Sequence, residues 1–286
     1  MPPLLPQGLR ELLVPVRCAG CGTPGEEWCD CCHRHLSAPA RRLRPRVLVP
    51  CPVWSISPYG GPVAEGIVAF KEGRRRRLAI PFGAALAEAA AGLVEAGELL
   101  HPAERPWLIV PAPSTAEAVC ERGFHHMREV GEEMARYLQQ ASTNWVLGGV
   151  VGEIAVAELL CAAPHHDAVG LTAEQRRANL AGAITCDPDI ATQLALFTPS
   201  ATPPVTAPVT APVTPQGTPA VTASVTPSAA ESVRRRAHRL PHNVFSHWEI
   251  LVVDDVTTTG ATLAECFFAL HHMGMRPRGA LTLASA

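Results

Sequence analysis

Aromatic residues are scarce in this 286-residue sequence, at 5% of the chain, and only two of them are tyrosines. No run of 18 apolar residues occurs, which argues against a membrane-spanning helix. The first 17 residues lack both the basic start and the continuous apolar run of a secretory signal. We therefore expect a cytoplasmic protein without a membrane span, in which thiols stay reduced.

Net charge is also small, at −2, so the overall charge predicts no class of partner. The arginines are nevertheless uneven, with clusters at 41–46, 74–77 and 234–239. Such clusters fit a solvated surface or contacts with nucleic-acid phosphates. Few aromatic side chains are available to stack on bases, namely Trp28, Trp54, Tyr59 and Phe70.

Cysteine, in contrast, is abundant, with ten residues in the chain and five of them in the stretch 18–32. Two Cys-x-x-Cys pairs are separated by seven residues, a spacing typical of a closed tetrahedral Zn²⁺ site. We predict a zinc-ribbon-like module over residues 15–51, in which structural zinc supplies the folding energy. Reduced cysteines without metal are the alternative. The predicted ligands are Cys18, Cys21, Cys29 and Cys32, with Cys31, His33, His35 and Cys51 as spare candidates.

One long segment cannot form regular structure. Residues 198–229 contain eight prolines, no charged residue and little besides Thr, Val, Ala and Ser. Proline removes backbone donors and blocks helical geometry, so neither a helix nor a central strand fits. We predict a disordered insertion, with bounds at 190–232, inside a domain formed by residues 59–188 and 233–286.

Helix and strand patterns alternate in the rest of the chain. Helices are predicted at Phe82–Leu100, Phe124–Gln140 and Ala261–Met273. Strands are predicted at Trp107–Val110, Ile250–Val253 and Ala280–Leu283. This alternation predicts an α/β fold with a mostly parallel sheet and helices on both of its faces.

The most informative segment is Ile250-Leu-Val-Val-Asp-Asp-Val-Thr-Thr-Thr-Gly-Ala-Thr262. A buried strand is expected to stop at Asp254 and Asp255, and a turn of small residues then leads into a helix. Free N–H groups and the helix dipole converge at such a junction, which favours a phosphate group. A plain helix cap made by Asp255 and a threonine is the alternative, but the whole pattern favours a phosphomonoester site.

A second strand ends in Val110-Pro-Ala-Pro113, and the sequence Glu121-Arg-Gly-Phe124 then leads toward a helix. An arginine at the start of a helix would suit a second anion such as pyrophosphate. Composition alone favours an ordinary strand–loop–helix connection with a surface arginine. Residues 171–180 fit a surface helix capped by Thr172.

These motifs together resemble the ComF family, a group with a type I phosphoribosyltransferase-like fold that is linked to bacterial competence. The resemblance rests on the Cys-rich start followed, in order, by Tyr59, Phe70-Lys71, Val110–Pro113, Arg122–Phe124, Arg176–Asn179 and Asp254–Thr262. It covers nearly the whole chain except the Pro/Thr insertion. His125-His126 stands where the family pattern has Asn-Gln, which weakens the transfer of polar contacts there.

The resemblance implies a site for phosphoribosyl pyrophosphate (PRPP) with Mg²⁺. Asp254 and Asp255 would hold the ribose hydroxyls. The 5′-phosphate would be bound by Val256, Thr257, Thr258, Thr259, Gly260, Ala261 and Thr262. Pyrophosphate or lid contacts would come from Pro111, Ala112, Arg122, Arg176 and Asn179.

Two functions follow from this resemblance. The first is transfer of phosphoribose to an acceptor that the sequence does not identify, with release of pyrophosphate and no nucleophilic side chain. The second is a non-catalytic role in DNA uptake, with single-stranded DNA and a competence helicase as partners and PRPP as a regulator. The cysteines outside the N-terminal cluster, Cys120, Cys161, Cys186 and Cys266, are predicted to be buried small hydrophobic residues.

Overall fold

Two long parallel strands, β7 and β8, lie in the middle of the main sheet of this computed structural model, which describes residues 16–141, 153–163, 182–196 and 245–286. The strands are β1 (Arg41–Arg42), β2 (Val53–Pro58), β3 (Trp107–Pro111), β4 (Ile154–Val156), β5 (Leu160–Ala162), β6 (Ile184–Cys186), β7 (Glu249–Thr257) and β8 (Pro277–Ser285). The helices are α1 (Asp30–His33), α2 (Gly61–Lys71), α3 (Ala79–Glu95), α4 (Ala116–Arg122), α5 (His126–Ala141), α6 (Pro188–Leu196) and α7 (Ala261–His272). Short 3₁₀ turns lie at Arg34–Leu36 and Arg76–Leu78.

The main sheet has six strands in the order β1-β2-β8-β7-β3-β4. Every neighbouring pair is parallel except β1 with β2, so the sheet is mixed but mostly parallel. Strands β5 and β6 form a separate antiparallel pair. The predicted α/β class with a mostly parallel sheet is confirmed.

Helices cover both faces of the main sheet. One buried cluster joins α2, α3 and α5 to the face that carries Leu251 and Val253. The other joins α6 and α7 to the face that carries Ile250 and Val252. The unbroken β-branched run of β7 suits this position, because both of its faces are buried.

The predicted elements agree with the structure to within about five residues. The largest difference is the end of α3, predicted at Leu100 and observed at Glu95, and the next largest is the end of β7. This strand was expected to stop at Val253, but it continues to Thr257. Strand β8 is the reason, since it pairs with β7 as far as Thr257 opposite Ser285. The two aspartates therefore lie within a paired strand rather than after its end.

Helix α3 is the most apolar helix of the described chain. The stretch Arg76–Glu95 is long and apolar enough to cross a membrane by length and composition, with a mean hydropathy of 1.5. A buried core helix meets the same criteria, and 56% of this stretch is buried. Gly83 packs directly on α5, where a Cβ atom would lie 2.7 Å from the Met134 nitrogen. The expected absence of a membrane span stays a prediction.

Helix α6 extends to Leu196 and so crosses position 190, where the insertion was predicted to begin. The Pro/Thr-rich stretch itself, the third arginine cluster and the pair Arg176 and Asn179 all lie outside the described residues.

Candidate functional site

Two loops meet at the carboxyl ends of adjacent parallel strands. The first follows β3 and the second follows β7, and these strands pair from Trp107 opposite Glu249 to Pro111 opposite Val253. The Ala112 N–H donates to the Val253 carbonyl at 2.8 Å, which fixes the start of the first loop against β7. A crevice beyond the carboxyl ends of parallel strands is the usual ligand site of such sheets.

The turn after β7 has the geometry of an anion site. Gly260 has a φ of 84°, the left-handed conformation, and directly precedes the first residue of α7. Thr259 Oγ1 accepts a hydrogen bond from the Ala261 N–H at 3.3 Å, while Thr258 is exposed. The N-terminal amides of this twelve-residue helix lie beside the turn, with the positive end of its dipole.

Thr257 gives an independent indication of a ligand. Its side chain is buried, and its Oγ1 has no hydrogen-bond partner among the described residues. Leaving a buried hydroxyl unpaired destabilises a protein by about 1–3 kcal/mol, so such groups are rare without a reason. An oxygen of a bound phosphate would supply the missing partner.

The two aspartates have different surroundings. Strand alternation places Asp255 on the same face as Val253, toward α2 and α5, and Asp254 on the opposite face, toward α7. Asp255 is buried at 4% exposure, whereas Asp254 is half-buried and accepts the backbone N–H of Asp255 at 2.9 Å. The two carboxylates therefore cannot perform the same task.

Lys71 and His126 both bind the same oxygen of Asp255. Lys71 Nζ lies 2.5 Å from Asp255 Oδ2, and His126 Nε2 lies 2.8 Å from it. A carboxylate oxygen has two lone pairs, so Oδ2 is saturated while Oδ1 can still accept from a ligand hydroxyl. The site thus holds an oriented carboxylate with one oxygen that can accept a further hydrogen bond.

Burial and neighbouring charges set the pKa values of Asp255, Lys71 and Asp254 in different directions. Burial alone would raise the pKa of Asp255, but the Lys71 ammonium and the His126 hydrogen bond outweigh it and hold that pKa well below its usual range. Burial would likewise lower the pKa of Lys71, and the Asp255 charge raises it instead. For Asp254, burial and then the adjacent Asp255 charge raise the pKa to about 7.

His126 also links Asp255 to the loop after β3. Its Nδ1 lies 3.2 Å from Ser114 Oγ and 3.3 Å from Arg122 Nη1, and Arg122 Nη1 lies 3.4 Å from Ser114 Oγ. Because Nδ1 faces an arginine, which can only donate, the ring fits best with its proton on Nε2, donated to Asp255.

The order serine, histidine, aspartate is the order of a hydrolytic triad, but the charges oppose that chemistry. A general-base histidine must accept a proton at Nδ1, and Arg122 would then face a second positive charge at 3.3 Å. Lys71 already offsets the Asp255 carboxylate that would stabilise an imidazolium. The arrangement therefore positions groups rather than activating the serine, and the expectation of no nucleophilic side chain stays a prediction.

Three details differ from the expectations for this region. Arg122 is the last residue of α4, not the first residue of a helix, because the left-handed Gly123 ends α4 before α5 begins. His126 supplies a site contact in place of the amide of the family pattern, while His125 turns away and pairs with Glu158 at 2.9 Å. Lys71 was quoted in the sequence pattern without a role, since it lies 184 positions from Asp255 in the chain and no local signal connects the two.

A segment from the N-terminal region, residues 43–50, lies against the turn between β7 and α7. We call this segment the strap, and we call residues 258–260 the phosphate turn after the group that the sequence predicts to bind there. The Val47 N–H donates to the Thr259 carbonyl at 2.9 Å. Pro45 packs so closely on Gly260 that a Cβ atom there would lie 2.5 Å from the Pro45 Cβ. Gly260 is therefore required both by its backbone conformation and by this contact.

The predicted metal ligands come together. The four sulfur atoms of Cys18, Cys21, Cys29 and Cys32 all lie within 4.8 Å of one another. The separations of Cys18 from Cys32 and of Cys21 from Cys29 are both 3.5 Å, close to the roughly 3.8 Å edge of a zinc–thiolate tetrahedron. Four clustered thiols at these distances indicate a structural metal site.

The backbone and the protonation of this cluster fit metal binding. The Cys29 N–H donates to Cys18 Sγ at 3.4 Å, as outer hydrogen bonds to ligand sulfurs commonly do. Hydrogen bonding with Thr23 lowers the pKa of Cys21 to about 6, whereas burial raises the pKa of Cys32. Metal binding at neutral pH must therefore displace a proton from Cys32.

The other cysteines follow the prediction only in part. Cys266 is buried and Cys186 is partly buried, but Cys120 and Cys161 are exposed. Burial raises the pKa of both Cys186 and Cys161, which makes neither of them a ready nucleophile.

No protein-family model and no curated protein matches this chain. The fold and site therefore define a class: an α/β protein with a mostly parallel mixed sheet and a four-cysteine cluster near its N-terminus. Four of its buried polar residues lie at or beside the carboxyl end of β7, namely His126, Asp255, Thr257 and Thr259.

Proposed function

We propose that this chain binds PRPP with Mg²⁺ in the crevice between the loops after β3 and β7, as a ComF-like protein of the type I phosphoribosyltransferase class. The observation that carries the proposal is the unpaired, buried Thr257 hydroxyl at the carboxyl end of β7, three residues before the glycine that precedes α7. The 5′-phosphate would bind there, and Asp255 Oδ1 would accept from a ribose hydroxyl.

The diphosphate would lie toward the loop after β3. Arg122 and Lys71 place two cations on that side of Asp255, and Ser114 adds a hydroxyl. Mg²⁺ would neutralise part of the diphosphate charge. Asp254, next to Asp255 in the chain, is half-buried and forms no ion pair with a described side chain.

Transfer from such a complex needs no covalent enzyme intermediate. The bond from ribose C1 to the diphosphate oxygen breaks, and the diphosphate leaves with the electron pair. A bond forms between C1 and the acceptor, which loses a proton. The cations near Asp255 would stabilise the leaving group, which is electrostatic catalysis rather than nucleophilic catalysis. The site does not identify the acceptor of the phosphoribosyl group. A protein that binds PRPP without turning it over fits the same site.

The test pairs two threonine variants on neighbouring strands. Thr257→Val removes a hydroxyl that has no described partner, whereas Thr282→Val removes one that donates to the Trp54 and Ala284 carbonyls. We expect Thr257→Val to leave the free energy of unfolding unchanged or higher, and to weaken PRPP binding about tenfold.

Thr282→Val should show the reverse pattern, with a loss of about 0.5–1.5 kcal/mol in stability and unchanged binding. Calorimetry with PRPP and Mg²⁺, together with urea unfolding, measures both quantities. Wild-type protein that does not bind PRPP, or an Asp254→Ala/Asp255→Ala double variant that binds it normally, would refute the proposal.

A second function has one observation in its favour. Arg41, Arg42, Arg44 and Arg46 are all exposed and form no ion pair with a described residue. The cluster at 74–77 is different, since Arg75 pairs with Glu27 and Arg76 pairs with Glu129. If the chain handles single-stranded DNA, with or without a helicase partner, the first cluster would bind the phosphates.

A gel-shift titration at two salt concentrations tests this second function. We expect a variant with Arg41, Arg42, Arg44 and Arg46 changed to Ser to lose salt-dependent binding of single-stranded DNA. The control for net charge compares two double variants of equal charge, Arg41→Ser/Arg42→Ser and Arg74→Ser/Arg77→Ser. Equal loss in both variants would show a nonspecific charge effect and exclude the first cluster as a dedicated surface.

A further inference from the structure

A continuous series of aromatic contacts joins the cysteine cluster to the ligand crevice. Trp28, next to Cys29, lies edge-on to Phe82 of α3, with ring centroids 5.4 Å apart. Phe82 contacts Phe70 of α2 at 5.6 Å, and Phe70 contacts His126 of α5 at 6.0 Å. His126 then binds Asp255 at 2.8 Å. We call these four rings the aromatic series.

The aromatic series is buried and closely packed throughout. The exposed fractions of Trp28, Phe82, Phe70 and His126 are 8%, 0%, 1% and 5%. Gly66 of α2 leaves room for the Trp28 ring, which a Cβ atom at that position would overlap. Phe70 immediately precedes Lys71, so a displacement of the Phe70 ring would be transmitted to the Asp255 ion pair.

The strap makes a second connection from the same region. It follows the four-cysteine cluster within the same module, and its Val47 N–H donates to the Thr259 carbonyl of the phosphate turn. The cysteine module therefore contacts both halves of the crevice, through the aromatic series at Asp255 and through the strap at Thr259 and Gly260.

We propose that the metal state of the four-cysteine cluster regulates ligand binding in the crevice, because the bound metal keeps Trp28 packed against α2 and α3. This inference rests on the proposed function for the identity of the ligand. Without metal, the short module loses its main source of folding energy. Trp28 would then leave a gap beside Phe82 and Gly66, and Phe70, His126 and Lys71 would lose their fixed positions around Asp255.

The first experiment compares PRPP affinity in zinc-loaded and chelator-treated protein, with far-UV circular dichroism to confirm that the sheet remains folded. We expect zinc removal to weaken binding about tenfold, within the usual range of coupling between two sites. An affinity that changes by less than about twofold in folded, zinc-free protein would overturn the proposal.

Coupling between two sites must be reciprocal, which gives a second measurement. PRPP should raise the zinc affinity by the same factor by which zinc raises the PRPP affinity. Competition against a chromogenic chelator, with and without saturating PRPP, measures that factor. Equal zinc affinity in both conditions would contradict the coupling, whatever the effect of chelation on stability.

A variant inside the aromatic series separates transmission from metal binding. Phe82→Leu replaces an aromatic ring in the middle of the series with an aliphatic side chain and leaves all four cysteines intact. The control is Phe245→Leu, a buried ring in the cluster on the opposite face of the sheet. We expect both variants to hold one zinc, and only Phe82→Leu to bind PRPP more weakly and lose the zinc dependence. Equal behaviour of the two variants would refute the aromatic series as the route.

Nuclear magnetic resonance of the histidine rings measures the coupling between the cysteine cluster and the crevice without the use of PRPP. Zinc removal should shift the His126 ring signals, which a His126→Asn variant assigns, and should leave those of His272 on α7 in place. If wild-type protein failed to bind PRPP but His126 still shifted, the ligand assignment would be wrong and the coupling would stand. Unshifted His126 signals would overturn the coupling itself.

Discussion

At the scale of single residues, Asp254 is a carboxylate whose surroundings oppose its charge. Its pKa is about 7 in the folded protein and 3.8 in the ordinary reference state. The folded chain therefore holds more protons than the unfolded chain between pH 4 and 7, and stability falls as the pH rises through that window. Retaining such a carboxylate suggests a role in binding rather than in folding.

We predict that Asp254→Asn raises the free energy of unfolding at pH 8 by about 1–2 kcal/mol relative to wild type. The difference should shrink toward zero at pH 4, where the native carboxyl is also neutral. Urea unfolding at both pH values measures it. A difference that is the same at pH 4 and pH 8 would show that charge is not the cause.

Gly260 is the residue with the strictest backbone requirement in the phosphate turn. Gly260→Ala should destabilise the protein by about 2–4 kcal/mol, because it combines a left-handed φ with a clash against Pro45. Gly97→Ala is the matched control, since its φ is 72° and nothing lies within 4 Å of the added atom. The difference in thermal stability between the two variants measures the cost of the clash with Pro45. Equal losses of stability in both variants would refute the close contact between the strap and Gly260.

At the scale of elements, helix α2 supplies a half-buried cation from its last residue, paired with the buried Asp255. Lys71→Met should destabilise the protein by about 2–4 kcal/mol at pH 7, because it leaves the buried Asp255 without its main counter-charge. The loss should decrease at acidic pH, because without Lys71 the Asp255 carboxylate is protonated at a higher pH than in the wild type. Urea unfolding as a function of pH gives both results.

Arg128→Met on α5 is a suitable comparison for that variant. Arg128 pairs with Glu132 and Glu158 at a partly exposed surface, so its loss should be at most about 1 kcal/mol. If the two variants lost the same stability, the Lys71–Asp255 pair would not be the buried contact described above.

Local sequence patterns predicted the helices and strands better than they predicted the tertiary contacts between them. The β-branched run of β7, the amphipathic pattern of α5 and the glycine at position 260 each follow from short-range chemistry, and each is present. Strand β2 and helix α2 were not among the predicted elements. The extension of β7 to Thr257 depends on pairing with β8, and no local pattern contains that information.

The candidate site was predictable to a similar degree. The phosphate turn and the cysteine cluster are continuous or closely spaced motifs, so their chemistry is visible in the sequence. Lys71, His126 and the strap join the site only through tertiary contacts between residues more than 100 positions apart. Arg122 was predicted as an anion contact, but its place at the end of α4 depended on the conformation of Gly123.

At the scale of the whole molecule, the cysteine cluster should behave as a folding element. We predict about one zinc per chain in protein purified without chelators, and a lower unfolding temperature after chelation. Elemental analysis and thermal unfolding test this. Cys21→Ser should lose the zinc, whereas Cys120→Ser, which changes an exposed cysteine outside the cluster, should keep it. Metal-free wild-type protein with unchanged thermal stability would refute the site.

The position of the strap also limits how this molecule can be shortened. A chain that began after Cys51 would retain every parallel strand, yet it would uncover the turn at Gly260 and expose the edge of β2. Such a fragment would carry an open strand edge, which favours self-association. The N-terminal residues are thus as much a part of the crevice as the helix that begins at Ala261, and the two should be inherited, expressed or exchanged as one unit.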